Sequence, residues 1–113
     1  MKHEVKKIAK IVDEILTYFL IHFDASATLN LHRDAAGFQL CFTFTPVVLK
    51  PEAFAALKKR LSGKRQPELE DYYWQLAGES EDHSELRLVA MMCDACEIYL
   101  NDDTLTLKLT RRL

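Results

Sequence analysis

The chain has 113 residues, of which 49% are hydrophobic and 28% charged, with a net charge of −2 at neutral pH. That is the length of one domain, spanning 1–113, with enough apolar content for a single core, and so balanced a charge excludes a general pull toward nucleic acid or an anionic membrane. No apolar run approaches the ~20 residues that span a bilayer, and Met1-Lys2-His3-Glu4 leads into an amphipathic helix rather than a signal-peptide core; with three cysteines, a reduced cytoplasm is the expected setting.

From Glu4 to Phe23, the residues Val5, Ile8, Val12, Ile15, Phe19 and Phe23 recur at helical spacing. This stripe suffices to cover a sheet. Lys2, Lys6, Lys7, Lys10 and Asp13 are available for water in the first half, but from Ile15 onward the helix is apolar almost all round. Such a helix must be covered on more than one side, by the rest of the domain or by another copy of the chain. A hairpin follows. Ala27, Leu29 and Leu31 alternate with polar residues, Arg33 to Gly37 makes the turn, and Phe38, Leu40, Phe42 and Phe44 alternate again until Pro46 ends the strand.

Helical material lies between this hairpin and the next. Pro51 suits a first helical turn, Phe54, Leu57 and Leu61 form a stripe, and Ser62-Gly63 terminates it. Pro67 opens a second helix with Glu68, Glu70 and Asp71 near its start, where they complement the dipole. Leu69, Tyr72, Tyr73 and Leu76 are its expected buried side and Gly78 its end. The third helix carries Leu86, Val89, Ala90 and Cys93. It runs into a final hairpin, Cys96, Ile98 and Leu100 on one strand and Leu105, Leu107 and Leu109 on the other, around the turn Asn101-Asp102-Asp103. The expected fold is a two-layer α/β sandwich. Its sheet, mixed or antiparallel, has about four strands in two hairpins, with helices on one face and the order α-β-β-α-α-α-β-β.

This order of elements resembles the histidine-kinase-like ATPase superfamily (the GHKL or Bergerat fold), especially its short anti-sigma-factor-like members. In that family a helix carries Glu-x-x-x-Asn-x-x-x-His, and Glu14, Tyr18 and His22 stand at the same spacing here. Glu85 to Arg112 resembles the family's final helix and hairpin. The resemblance implies a nucleotide pocket beside the Tyr18 side of the first helix, and the departures imply that it is dismantled. The metal-binding Asn is replaced by Tyr18. No Asp stands at the strand end around Thr43, Phe44 and Thr45 to accept from adenine, and Pro46-Val47-Val48 replaces the glycines that follow it. Where a Gly-x-Gly helix start would offer bare N–H groups to phosphates, this chain has Asp82-His83-Ser84 among Glu79, Glu81 and Glu85. Neither ATP nor magnesium is expected to bind.

The other chemical signals have plainer readings. Cys93-Asp-Ala-Cys96 has a redox spacing but falls where a helix ends, and no second ligand pair completes a zinc site. Both cysteines coincide with apolar positions and read as buried thiols. Lys58, Lys59, Arg60, Lys64 and Arg65 cluster at a helix C-terminus, where cations are favourable in any case. The expected function is a non-catalytic regulatory or protein-interaction module in bacterial signalling or transcription control. The alternatives are an ATP-binding anti-sigma-type serine kinase with diverged motifs and a phosphotransfer protein using His22. Surplus apolar residues on the first helix either plug the old pocket internally or pair with another chain; the favoured expectation is a homodimer whose contact includes Ile11, Tyr18 or Ile21, with Trp74 a further interface residue. On that reading Ile11→Glu gives a folded monomer.

Overall fold

The computed structural model describes residues 2–68, 70 and 85–113. Helix α1 (Lys2–His22) leads into strands β1 (Ser26–Asp34) and β2 (Gly37–Thr45). Helix α2 (Pro51–Arg60) follows, then α3 (Glu85–Met91) and the strands β3 (Ala95–Asn101) and β4 (Thr104–Arg112). Pro67, Glu68 and Glu70 are also helical. The rest of the helix expected after Pro67, with Tyr72, Tyr73, Trp74 and the 78–84 segment, lies outside the described residues.

The four strands form one open antiparallel sheet in the order β1-β2-β4-β3. The two hairpins therefore join through their second strands. Register aligns Leu40 with Leu109, Phe42 with Leu107 and Phe44 with Leu105, and sets Ile98 beside Leu107 on the other side. Directly opposed residues share a face, so the alternating pattern delivers one continuous apolar surface. α1 covers it with Ile8, Ile11, Ile15 and Phe19, and α3 adds Leu86 and Val89. The Phe19 ring stacks on Phe44, with centroids 4.6 Å apart.

The turns follow local chemistry. Asp34 Oδ1 accepts from the Ala36 and Gly37 N–H groups at 2.8 and 3.2 Å, an Asx turn. Gly37 has φ +150°, and a Cβ there would lie 2.2 Å from the Arg111 carbonyl oxygen, so β4 can approach only a glycine. Lys50 is extended before Pro51, which occupies the first turn of α2 as its fixed φ favours.

Two expectations need correction. Ile11 is not on the surface of α1. It is 0% exposed, while Val5, placed in the covering stripe, is 48% exposed. The helix is rotated about its axis from the expected setting, because contacts distant in sequence hold its other flank: Lys7 meets Glu70, and Tyr18 meets Arg60. The second correction concerns β1. Ala27, Leu29 and Leu31 share a face with Phe44, Phe42 and Leu40, as their alternation implies, but every residue of β1 is exposed. β1 is the outer strand of the sheet, and the helical layer stops short of it.

Candidate functional site

The residues at the family's helix spacing occupy one side of α1. Glu14 is buried, Tyr18 half-buried and His22 exposed. The Tyr18 hydroxyl accepts from Arg60 Nη1 at 3.2 Å, and the guanidinium carbon lies 5.2 Å from the ring centroid. Tyr18 also packs against His22 at 4.5 Å and edge-on against Phe19 at 5.1 Å between centroids. The structure thus brings Tyr18 and His22 together and adds Arg60 from α2. An amide oxygen at this position would be available to a cation; a phenol engaged by a guanidinium is a poor metal ligand.

The basic cluster is divided between two tasks. Lys58 and Lys59 face water at the end of α2. Lys59, Arg60 and Arg87 line an open groove of about 570 Å³ between α2 and α3, with Ser62, Gly63, Gln66 and Met91 completing it. Arg65 leaves the cluster for an ionic network. Its Nη1 donates to Asp94 Oδ2 and to the Arg112 carbonyl, both at 2.8 Å, and its Nε lies 3.4 Å from Glu70 Oε2.

Arg111 is the centre of that network. Its side chain is 0% exposed, on the same face as Leu105, Leu107 and Leu109. Nε and Nη2 donate to the two carboxylate oxygens of Glu4 at 2.8 and 2.9 Å, Nη1 donates to the Met92 carbonyl at 2.6 Å, and Nη2 also pairs with Glu70. Lys7 reaches Glu70 at 3.4 Å. Glu4, Glu70 and Asp94 balance Lys7, Arg65 and Arg111, so the charges are neutralised where they are buried. The hydrogen bond from Arg111 holds the Glu4 carboxyl below its ordinary range against the opposing effect of burial. Asp94 is also held low: burial acts most strongly and in the other direction, but the Arg112 N–H at 2.5 Å and Arg65 together outweigh it. The network ties the start of α1, Glu70, the end of α3 and the end of β4 into one unit. Its chemistry is that of a clamp.

The period-two pattern carried the signal for Arg111, since it continues Leu105, Leu107, Leu109 by one more step onto the covered face. Cys93 is buried at the end of α3 and Cys96 half-buried on the inner face of β3, both as reduced thiols. The hydrogen bond to Cys96 and then burial push the Cys93 thiol well up, so Cys93 is an inert core residue rather than a nucleophile. Among the described residues, no group of three or more His, Cys, Asp or Glu could hold a metal ion, and no helix is long and apolar enough to cross a membrane.

Of the expected interface residues, Ile11 is part of the core, Tyr18 is engaged by Arg60, Ile21 is exposed, and Trp74 lies outside the described residues. A second pair of exposed apolar side chains, Leu29 (37%) and Leu31 (45%), stands on β1. Comparison with protein-family models, curated proteins and solved structures gives no match.

Proposed function

We propose that this chain is a non-catalytic regulatory or protein-interaction module on a degenerate histidine-kinase-like ATPase fold, working in the cytoplasm in bacterial signalling or transcription control. The order of helices and hairpins supports the fold relationship, and the anti-sigma-like resemblance supports the setting. The observation that carries the non-catalytic reading is the contact between Tyr18 and Arg60. Where a working relative would offer an amide oxygen to Mg²⁺, this chain spends the position on an internal cation–π and hydrogen-bonded contact between α1 and α2. The missing strand-end Asp and the missing phosphate-binding glycines point the same way.

Mg-ATP at millimolar concentration is expected to give no binding heat in calorimetry. Magnesium-dependent affinity in the micromolar range would overturn the reading and favour the diverged kinase. The exposure of His22 at the end of α1 favours phosphotransfer as the second reading. Acid-labile phosphorylation that disappears in His22→Ala would establish it.

A further inference from the structure

β1 is a nine-residue edge strand, every residue of it exposed. Its backbone is aligned for another strand. On β4, the Thr110 carbonyl accepts from Asp94 N–H and the Arg112 N–H donates to Asp94, so even-numbered residues there point toward the β3 side. Antiparallel pairs alternate between those that exchange hydrogen bonds and those that do not. Carried across the register to β1, this alternation turns Asn30 and His32 toward β2. It leaves the N–H and C=O groups of Ala27, Leu29, Leu31 and Arg33 aimed outward.

Above this edge α1 presents an apolar flank. With Ile8, Ile11, Ile15 and Phe19 against the sheet, and Lys7 and Tyr18 toward Glu70 and α2, the helical repeat places Val5, Val12, Leu16, Leu20 and Phe23 on the opposite flank. Val5 and Leu20 are exposed, and the others half-buried. The free edge and this flank run side by side for roughly 30 Å.

We propose that a second copy of this chain occupies this surface. The two β1 strands pair antiparallel about a two-fold axis at Asn30, joining two four-stranded sheets into one of eight strands. The strand is complementary to itself in this register. Leu29 of each copy meets Leu31 of the other, Ala27 meets Arg33, and Asn30 meets itself. All the outward-aimed residues then fall in hydrogen-bonded pairs, and no like charges stand directly opposite. Arg33 of one copy reaches the Phe23-Asp24-Ala25 corner of the other, where the exposed Asp24 offers the opposite charge. Centring on Leu29 instead would set Asp24 against Asp34, and centring on Leu31 would set Leu29 against Arg33. The two-fold axis stands normal to the sheet, so both helical layers lie on one side and the α1 flanks close over the four leucines. A strip about 30 Å by 20 Å projects roughly 600 Å² per copy, which with side-chain relief approaches the ~800 Å² of a standard interface.

Light scattering is expected to give twice the chain mass at tens of micromolar. Leu29→Lys/Leu31→Lys should give a folded monomer with an unchanged circular dichroism spectrum, because both side chains are exposed and edge lysines oppose strand pairing. Register is read by cross-linking in a Cys41→Ser background, which removes the thiol paired with position 30 within the chain. Asn30→Cys sits on the axis, at a Cα separation of about 4.5 Å for a non-hydrogen-bonded pair, and should form a disulfide-linked dimer under mild oxidation. Thr28→Cys should not, since it lies four positions from its own copy, roughly 13 Å. A wild-type monomer at 100 µM, or a dimer indifferent to the lysines and cross-linked at position 28 rather than 30, overturns the proposal. A monomer would leave the contact between Tyr18 and Arg60 untouched, and ATP binding would leave the β1 pairing untouched, so the two readings fail separately.

Discussion

Arg111 shows how one residue can fix the arrangement of several elements. It is fully buried on a mostly apolar face of the sheet, and such a charge is tolerated only with partners in good geometry. Glu4 supplies a two-pronged carboxylate from the opposite end of the sequence. Because Glu4 ionises more readily in the folded chain than in the unfolded one, its contribution is complete above the unfolded value of about 4.3. It is lost as pH falls through the lower folded value. Glu4→Gln should therefore cost about 1.5–3 kcal/mol at pH 7, the scale of hydrogen bonds to charged groups. The gap to wild type should be smaller at about pH 3, below the unfolded value. Urea unfolding at the two pH values checks this, and a gap independent of pH would mean that Glu4 acts through packing alone. The alternation of β4 made the burial of Arg111 legible, but its partners were not. Glu4, Glu70 and Met92 belong to segments far apart in sequence, and no local pattern brings them together.

At the scale of elements, α1 was legible as a helix but not in its rotation. From Ile15 to Phe23 it is apolar nearly all round, so the pattern alone leaves its buried face undetermined. The cross-element contacts of Lys7 and Tyr18 set it, and they place Ile11 in the core. Ile11→Glu should therefore unfold the domain rather than yield a monomer, and Ile11→Ala should cost about 2–5 kcal/mol as a core truncation. Ile21→Ser, at an exposed position, should stay within about 0.5 kcal/mol of wild type. Thermal unfolding of the three variants separates a core Ile11 from a surface one. β1 presents the converse case. Its alternation assigned Leu29 and Leu31 to the correct face, but coverage depends on strand order, which no single strand encodes.

For the whole molecule, the two hairpins were readable while their junction was not. β2 and β4 carry the bulkiest apolar rows and take the two central places, leaving β1 and β3 as edges. The balance of large side chains between strands was the available clue to that order. The outcome is a domain whose helical layer serves β2, β4 and β3 and leaves β1 exposed, the edge on which the proposed dimer rests. Amide hydrogen exchange along β1, followed by NMR at high and low protein concentration, tests that account most directly. Asn30, turned toward β2, should be protected at both concentrations. Leu29 and Leu31, turned outward, should be protected only when the chain is concentrated, and exchange freely on dilution. Fast exchange at Leu29 and Leu31 at every concentration would contradict the account, because the edge would then have no partner in solution.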